Sequence, residues 1–197
     1  MRRHPQQARG KRRVDQILDS ADLVIGRVGL EGATTNAIAD AARTSIGSVY
    51  QFFHNKSAII TALCERHAAS LTALLAQDMP GTDSCEVQVG ALLDVITEYY
   101  AANPGFRAFL YGEYASSEAS MIHETLIMPL VSQIALRASE SGLVHQKLLV
   151  AEAALFALSR LLYLAVQSHE EGKARLLPQE QKVLLVELCC RSGTQGV

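Results

Sequence analysis

Hydroxyls, amides and cations crowd the stretch TTNAIADAARTSIGSVYQFFHNK, residues 34–56. Thr35, Ser48 and Tyr50 offer hydroxyls, Asn36 and Gln51 offer amides, and Arg43, His54 and Lys56 offer cationic or ring nitrogens. Such groups exchange hydrogen bonds and neutralise anions; they are the types that meet phosphates and base edges. Bond-making chemistry needs other constellations. No Glu-x-x-His pair, G-x-S-x-G, phosphate-binding P-loop or G-x-G-x-x-G occurs. The six histidines, His4, His54, His67, His123, His145 and His169, lack metal-ligand spacing. No catalytic residue, metal or cofactor is therefore expected.

Short helices must hold these side chains. Thr34 or Thr35 can cap a helix reaching about Ala42, with Ala37, Ile38, Ala41 and Ala42 on its inner face. Arg43-Thr44-Ser45 forms a tight connection. Thr44 or Ser45 then caps a second helix of about two turns. On that helix Val49 and Phe53 point inward, with Ile46 and Phe52 at the margins. Gly47, Ser48, Tyr50 and Gln51 face outward. Two short helices joined by a tight turn, with a basic N-terminal flank, fit a helix-turn-helix.

The flanking chain reads as helix throughout. Residues 1–10 are polar and basic and read as a mobile tail. From about Lys11 to Val28 an apolar stripe of Val14, Ile17, Leu18, Ala21, Val24, Ile25 and Val28 recurs at spacings of three and four. Gly29 and Gly32 bracket the turn that ends this helix. Asn55 caps a long helix reaching about Gln77, and Pro80-Gly81 marks a hinge. The predicted organisation is a tail over 1–10, a DNA-binding domain over 11–56, a connecting helix over 57–78 and a second all-helical domain over 79–197. In that domain helices are expected over about 85–102, 118–141, 146–170 and 178–191, with a short aromatic one over 106–116 that Pro104 can open, and Pro129 kinks or breaks the helix over 118–141.

Charge divides in the same way. Residues 1–60 carry nine Lys/Arg against five Asp/Glu, and residues 61–197 carry nine against fifteen. One half is thus suited to a polyanion and the other is not. The four cysteines, Cys64, Cys85, Cys189 and Cys190, form no C-x-x-C pair or regular framework, and predict buried, reduced thiols in a cytoplasmic protein. No signal peptide is discernible. No run of about 18 uninterrupted apolar residues occurs, so no membrane span is expected.

Residues 29–56 resemble the DNA-binding segment of TetR/AcrR-type transcriptional repressors. The matching features are G-x-x-x-x-T-T from Gly29, Ile38-Ala39, S-x-G-S-x-Y from Ser45, Phe53 and Lys56. The likeness spans about residues 11–75. It implies phosphate contacts from Thr35, Ser48, Tyr50 and Lys56, with His54 beside them. It also implies that Asn36, Ser45, Ile46 and Gly47 lie nearest the base edges; Ile46 can equally serve the small core. Arg43 departs from the pattern, standing where the family has glycine. It must either hold a left-handed backbone or force another turn, and it is placed to add a phosphate contact. Arg12 and Arg13 are either solvated charge or groups that follow the duplex.

The resemblance further implies a homodimer that binds double-stranded, near-palindromic operator DNA and is released by a small-molecule effector. The last two predicted helices are apolar over much of their circumference and suit a dimer interface. Tyr99, Tyr100, Phe106, Phe109, Tyr111, Tyr114, Met121, Met128, Phe156 and Tyr163 are either ordinary core or the lining of a pocket for an apolar or aromatic effector. The alternatives are a helical adaptor without DNA binding and a helical-bundle enzyme.

Overall fold

The computed structural model describes residues 5–77, 84–111, 118–137, 150–158 with 160, and 179–191, and every element among them is helical. The chain packs as two compact units. One comprises residues 1–66 and 103–122; the other comprises 67–102 and 123–197. The division is discontinuous, whereas the sequence predicted one cut inside residues 79–84, most of which lie outside the described residues.

In the first unit, α1 (Pro5–Gly32) starts on Pro5, whose missing N–H is no loss in a first turn. Residues 5–10 are thus helix and not the expected tail. Ile17, Leu18, Ala21, Val24 and Ile25 are buried, as the spacing predicted, while Val28 is exposed. Gly29 breaks the helix at φ 74°, ψ 175°, a conformation open essentially to glycine alone. α2 (Thr35–Ala41) and α3 (Ile46–Tyr50) follow. In α2 the buried residues are Ile38 and Ala39, with Ala42 just beyond, so Ala41 does not face inward. α4 (Lys56–Gln77) buries Ile59, Ile60 and Leu63.

α6 (Pro104–Tyr111) belongs to this unit and packs on α1 at two glycines. A Cβ on Gly26 would lie 2.2 Å from Pro104 Cβ and 2.7 Å from its carbonyl carbon. A Cβ on Gly105 would lie 2.4 Å from Asp22 Oδ1. Only glycine permits such an approach. After α6, α7 (Ala119–Ile122) completes the unit, and the Ser57 hydroxyl donates to Glu118 Oε1 at 2.7 Å.

The second unit holds the later part of α4, then α5 (Cys85–Ala102), a π-helical turn (His123–Ile127), α8 (Met128–Arg137), α9 (150–158) and α10 (Gln179–Arg191). The π turn ends at Ile127, two residues before Pro129. Proline has no N–H and crowds the carbonyl four residues back, so the predicted kink is met by a widened turn. By length and mean hydropathy (1.2 each), Lys56–Ala76 and Ala119–Leu136 would also pass as membrane spans. Each carries the apolar face of a core helix, which meets the same test.

α5 and α10 run antiparallel. Lys182 of α10 pairs with Asp94 of α5, and Cys190 is disulfide-bonded to Cys85. The expectation of four free thiols is therefore wrong. The partners lie 105 positions apart, a separation at which no spacing rule operates, and only the pairing of the helices brings them together. Cys64 and Cys189 are buried and take no part in the disulfide. Burial, with Glu65 alongside, pushes the Cys64 thiol up to about 12.

Candidate nucleic-acid interface

The surface is built from caps. The Thr34 hydroxyl accepts from Ala37 N at 3.1 Å and opens α2. At its far end Arg43 N donates to Asp40 O at 3.0 Å and Thr44 N to Ala39 O at 3.0 Å. These are the two bonds of a Schellman ending, which requires a left-handed residue between helix and exit. Arg43 occupies that place at φ 49°. Of the two turns open to the sequence, the chain thus takes the one glycine would have made easy.

Ser45 opens α3, its hydroxyl accepting from Ser48 N at 3.2 Å. Val49 and Phe53 are buried, and Ile46 is half-buried. That leaves Gly47, Tyr50 and Gln51 exposed and Ser48 partly so, the phase the sequence predicted. Tyr50 is 52% exposed, an unusual position for a tyrosine serving only the core. A Cβ on Gly47 would meet nothing within 4 Å, so the fold itself does not call for glycine there. Phe52, expected at the margin, is 39% exposed.

The structure brings several of the named residues together. Thr35 Oγ1 lies 3.5 Å from Tyr50 Oη, uniting hydroxyls from successive helices. Asn36 and His54 are exposed nearby in sequence. Asn55 caps α4, its Oδ1 accepting from Ala58 N at 2.8 Å. Lys56 has a structural duty the sequence did not show: Nζ donates to Leu30 O at 3.0 Å, tying the start of α4 to the end of α1. An ammonium has three donors, so two remain for an anion. Gln16 was also missed. Its Nε2 donates to Ala42 O at 2.7 Å, clasping α1 to the turn. No short-range pattern marks that contact, which crosses 26 positions.

The residues named for an effector pocket fall in both units. Phe106 and Phe109 are buried in the first unit, where Met121 is half-buried. Tyr100 is buried in the second, where Met128 is half-buried. Tyr99, also in the second unit, meets buried His67 at 2.8 Å through its hydroxyl and edge-on through its ring. Phe156 is 58% exposed. The Tyr111 side chain, Tyr114 and Tyr163 lie outside the described residues. Among the described residues, no three His, Cys, Asp or Glu side chains gather as a metal site.

A capped helix pair with a polar outer face, among described residues whose elements are all helical, has the form of a helix-turn-helix. Residues 17–63 match the family model of bacterial regulatory proteins, tetR family; the match covers the helix-turn-helix segment and its flanking helices. Curated relatives include the nucleoid occlusion factor SlmA of Haemophilus ducreyi, 31% identical over 111 residues, or 56% of this chain and 55% of that protein. SlmA of Glaesserella parasuis is 28% identical over 113 residues. The chain spans about half the length of the curated relatives it matches. Among solved structures, the transcriptional regulator FadR from Bacillus subtilis, in complex with stearoyl-CoA, superposes with a TM-score of 0.70 at 16% identity, over 89% of this chain and 97% of that one. FadR from Bacillus halodurans gives 0.65 at 18% identity over the whole of both chains. A TetR-family regulator from Haemophilus influenzae gives 0.64 at 17%, over 93% and 97%. At these identities the likeness to the solved structures is one of fold.

Proposed function

We propose that this protein is a dimeric repressor in the cytoplasm that binds a near-palindromic operator and leaves it when a small apolar effector binds. One observation carries the proposal: Val49 and Phe53 bury one side of the α3 segment while Gly47 and Tyr50 are exposed and Ser48 is partly so. In this reading α3 lies in the major groove. Thr35, Ser48, Tyr50, Arg43 and Lys56 meet phosphates with His54, while Asn36, Ser45, Ile46 and Gly47 approach the bases. Val183, Leu184 and Leu188, exposed on α10, supply part of the face for a second copy. The effector is a molecule with an apolar chain or ring, of the kind stearoyl-CoA carries in the FadR complex. Tyr99 and Tyr100 of the second unit are its first candidates for contact.

The test is fluorescence anisotropy with duplexes selected from a random pool by the full-length protein. Salt-sensitive binding that Tyr50→Ala weakens at least tenfold supports the proposal. Full binding by that variant would place the interface elsewhere. A second reading, action at the nucleoid and not at a promoter, is favoured by the 31% identity to a nucleoid occlusion factor. Mapping occupancy across the chromosome separates the two: few promoter sites for a repressor, many dispersed sites for the alternative.

A further inference from the structure

α1 carries a second basic surface outside the helix-turn-helix. Arg9, Arg12, Arg13 and Gln16 follow the spacing i, i+3, i+4, i+7 and line one concavity on that helix. Asp15 stands three positions after Arg12, next to the edge of this face, and Asp19 is held by Arg66 at 2.6 Å. Among the described residues, no carboxylate pairs with any of the three guanidiniums. Like charges at these spacings repel, and cations early in a helix oppose its dipole. The fold gains nothing from this arrangement, so its use lies in an external anion.

The position of the face identifies the anion. Arg13 donates to Gln16 Oε1 at 3.0 Å, and Gln16 in turn donates to Ala42 O, one residue before Arg43. The basic face is thereby clasped to the helix-turn-helix turn. At Gly10 the same helix comes close to Phe52, just past the end of α3: a Cβ there would lie 3.9 Å from Phe52 Cε1. A polyanion lying along α3 therefore continues past Arg9 and Arg12.

Resting on the proposed DNA-binding function, we infer that Arg9, Arg12 and Arg13 form an auxiliary phosphate site. It grips the duplex backbone beside the segment that α3 reads. Arg9 and Arg12 neutralise phosphates, and Gln16 orients Arg13. The contact is independent of sequence, so it adds affinity without altering which bases are chosen.

The experiment uses full-length protein and a 40-base-pair mixed-sequence duplex, with binding followed by anisotropy from 50 to 200 mM salt. Each lost phosphate contact lowers the slope of log K against log salt by about 0.9, so Arg9→Gln/Arg12→Gln should lower it by about 1.8. The Arg9→Lys/Arg12→Lys variant should keep the wild-type slope. Sequences selected from a random pool should not change. Circular dichroism melts should lie at or slightly above wild type, because both side chains are exposed and the glutamines relieve the repulsion between them. An unchanged slope in the glutamine variant overturns the inference, as does a changed sequence preference. If Tyr50→Ala binds normally while Arg9→Gln/Arg12→Gln does not, the auxiliary site stands and the placement of α3 in the groove fails. If wild type shows no salt-sensitive binding to any duplex, both fail.

Discussion

Replacing Arg43 by glycine should make the protein more stable and its grip on DNA weaker. Arg43 sits at φ 49°, the only non-glycine residue at positive φ among those described. A side chain there brings Cβ toward the following carbonyl oxygen at a cost of about 1–2 kcal/mol. Glycine removes that cost but adds freedom to the unfolded chain, offsetting about 0.5–1 kcal/mol. The net gain should be about 0.5–1 kcal/mol, or roughly 2–4 °C per kcal/mol in melting temperature for a chain of this size. Arg43→Ala is the matched control, since it loses the same charge and keeps Cβ. Urea midpoints of wild type, Arg43→Ala and Arg43→Gly should place alanine at or slightly below wild type and glycine above both. Both variants lose the cation, so each should lower the salt slope for DNA by about 0.9. A glycine variant no more stable than the alanine variant would refute the strain argument. An unchanged salt slope in both would remove Arg43 from the interface.

Three further outcomes follow from the packing. Gly26→Ala places Cβ 2.2 Å from Pro104 Cβ and 2.9 Å from its Cα; because the backbone of α6 must move, unfolding free energy should fall by about 1–3 kcal/mol or more, read from denaturant midpoints. Reducing Cys85–Cys190 releases a cross-link spanning 105 positions, and a dithiol should lower stability by about 2–5 kcal/mol without changing helix content before denaturant is added. Cys64, raised to about 12 by burial and then by Glu65, should resist iodoacetamide at pH 8 until the chain unfolds. The unfolded thiol ionises from about 9 while the folded one keeps its proton. The folded state thus binds more protons between those values, and the Cys64 contribution to stability falls as pH rises from 9 toward 12.

What could be read from the sequence was what is decided within a few residues. Val49 and Phe53 lie four apart, so the phase of α3 was visible, and its start was narrowed to Thr44 or Ser45, of which Ser45 is the cap. Arg43 stood out against the resemblance and proved to hold the left-handed backbone. Long-range pairings were invisible. Nothing local marks Gly26 as the seat of Pro104, Gln16 as the partner of Ala42, or Cys85 as the partner of Cys190. The role of the residues named for an effector was not legible for a different reason. An aromatic residue in a helical chain reads the same whether it packs, lines a pocket or faces water, and Phe156 is exposed while Tyr100 is buried.

The caps also sharpen which hydroxyls are free for DNA. In each helix of the motif, one hydroxyl is spent on the fold and another is not. Thr34 caps α2 while Thr35 reaches Tyr50; Ser45 caps α3 while the Ser48 hydroxyl takes no part in that cap. Capping uses an oxygen lone pair and leaves the O–H free to donate, so Ser45 can brace the helix and still meet a base edge or phosphate. The two serines should therefore separate on mutation. Ser45→Ala should cost about 1 kcal/mol of stability, the usual value of an N-cap, and weaken DNA binding as well. Ser48→Ala should leave the urea midpoint unchanged and weaken binding alone. If Ser45→Ala lowers stability but leaves affinity intact once the folded fraction is accounted for, Ser45 is a cap only. The approach to the bases would then fall to Asn36, Ile46 and Gly47.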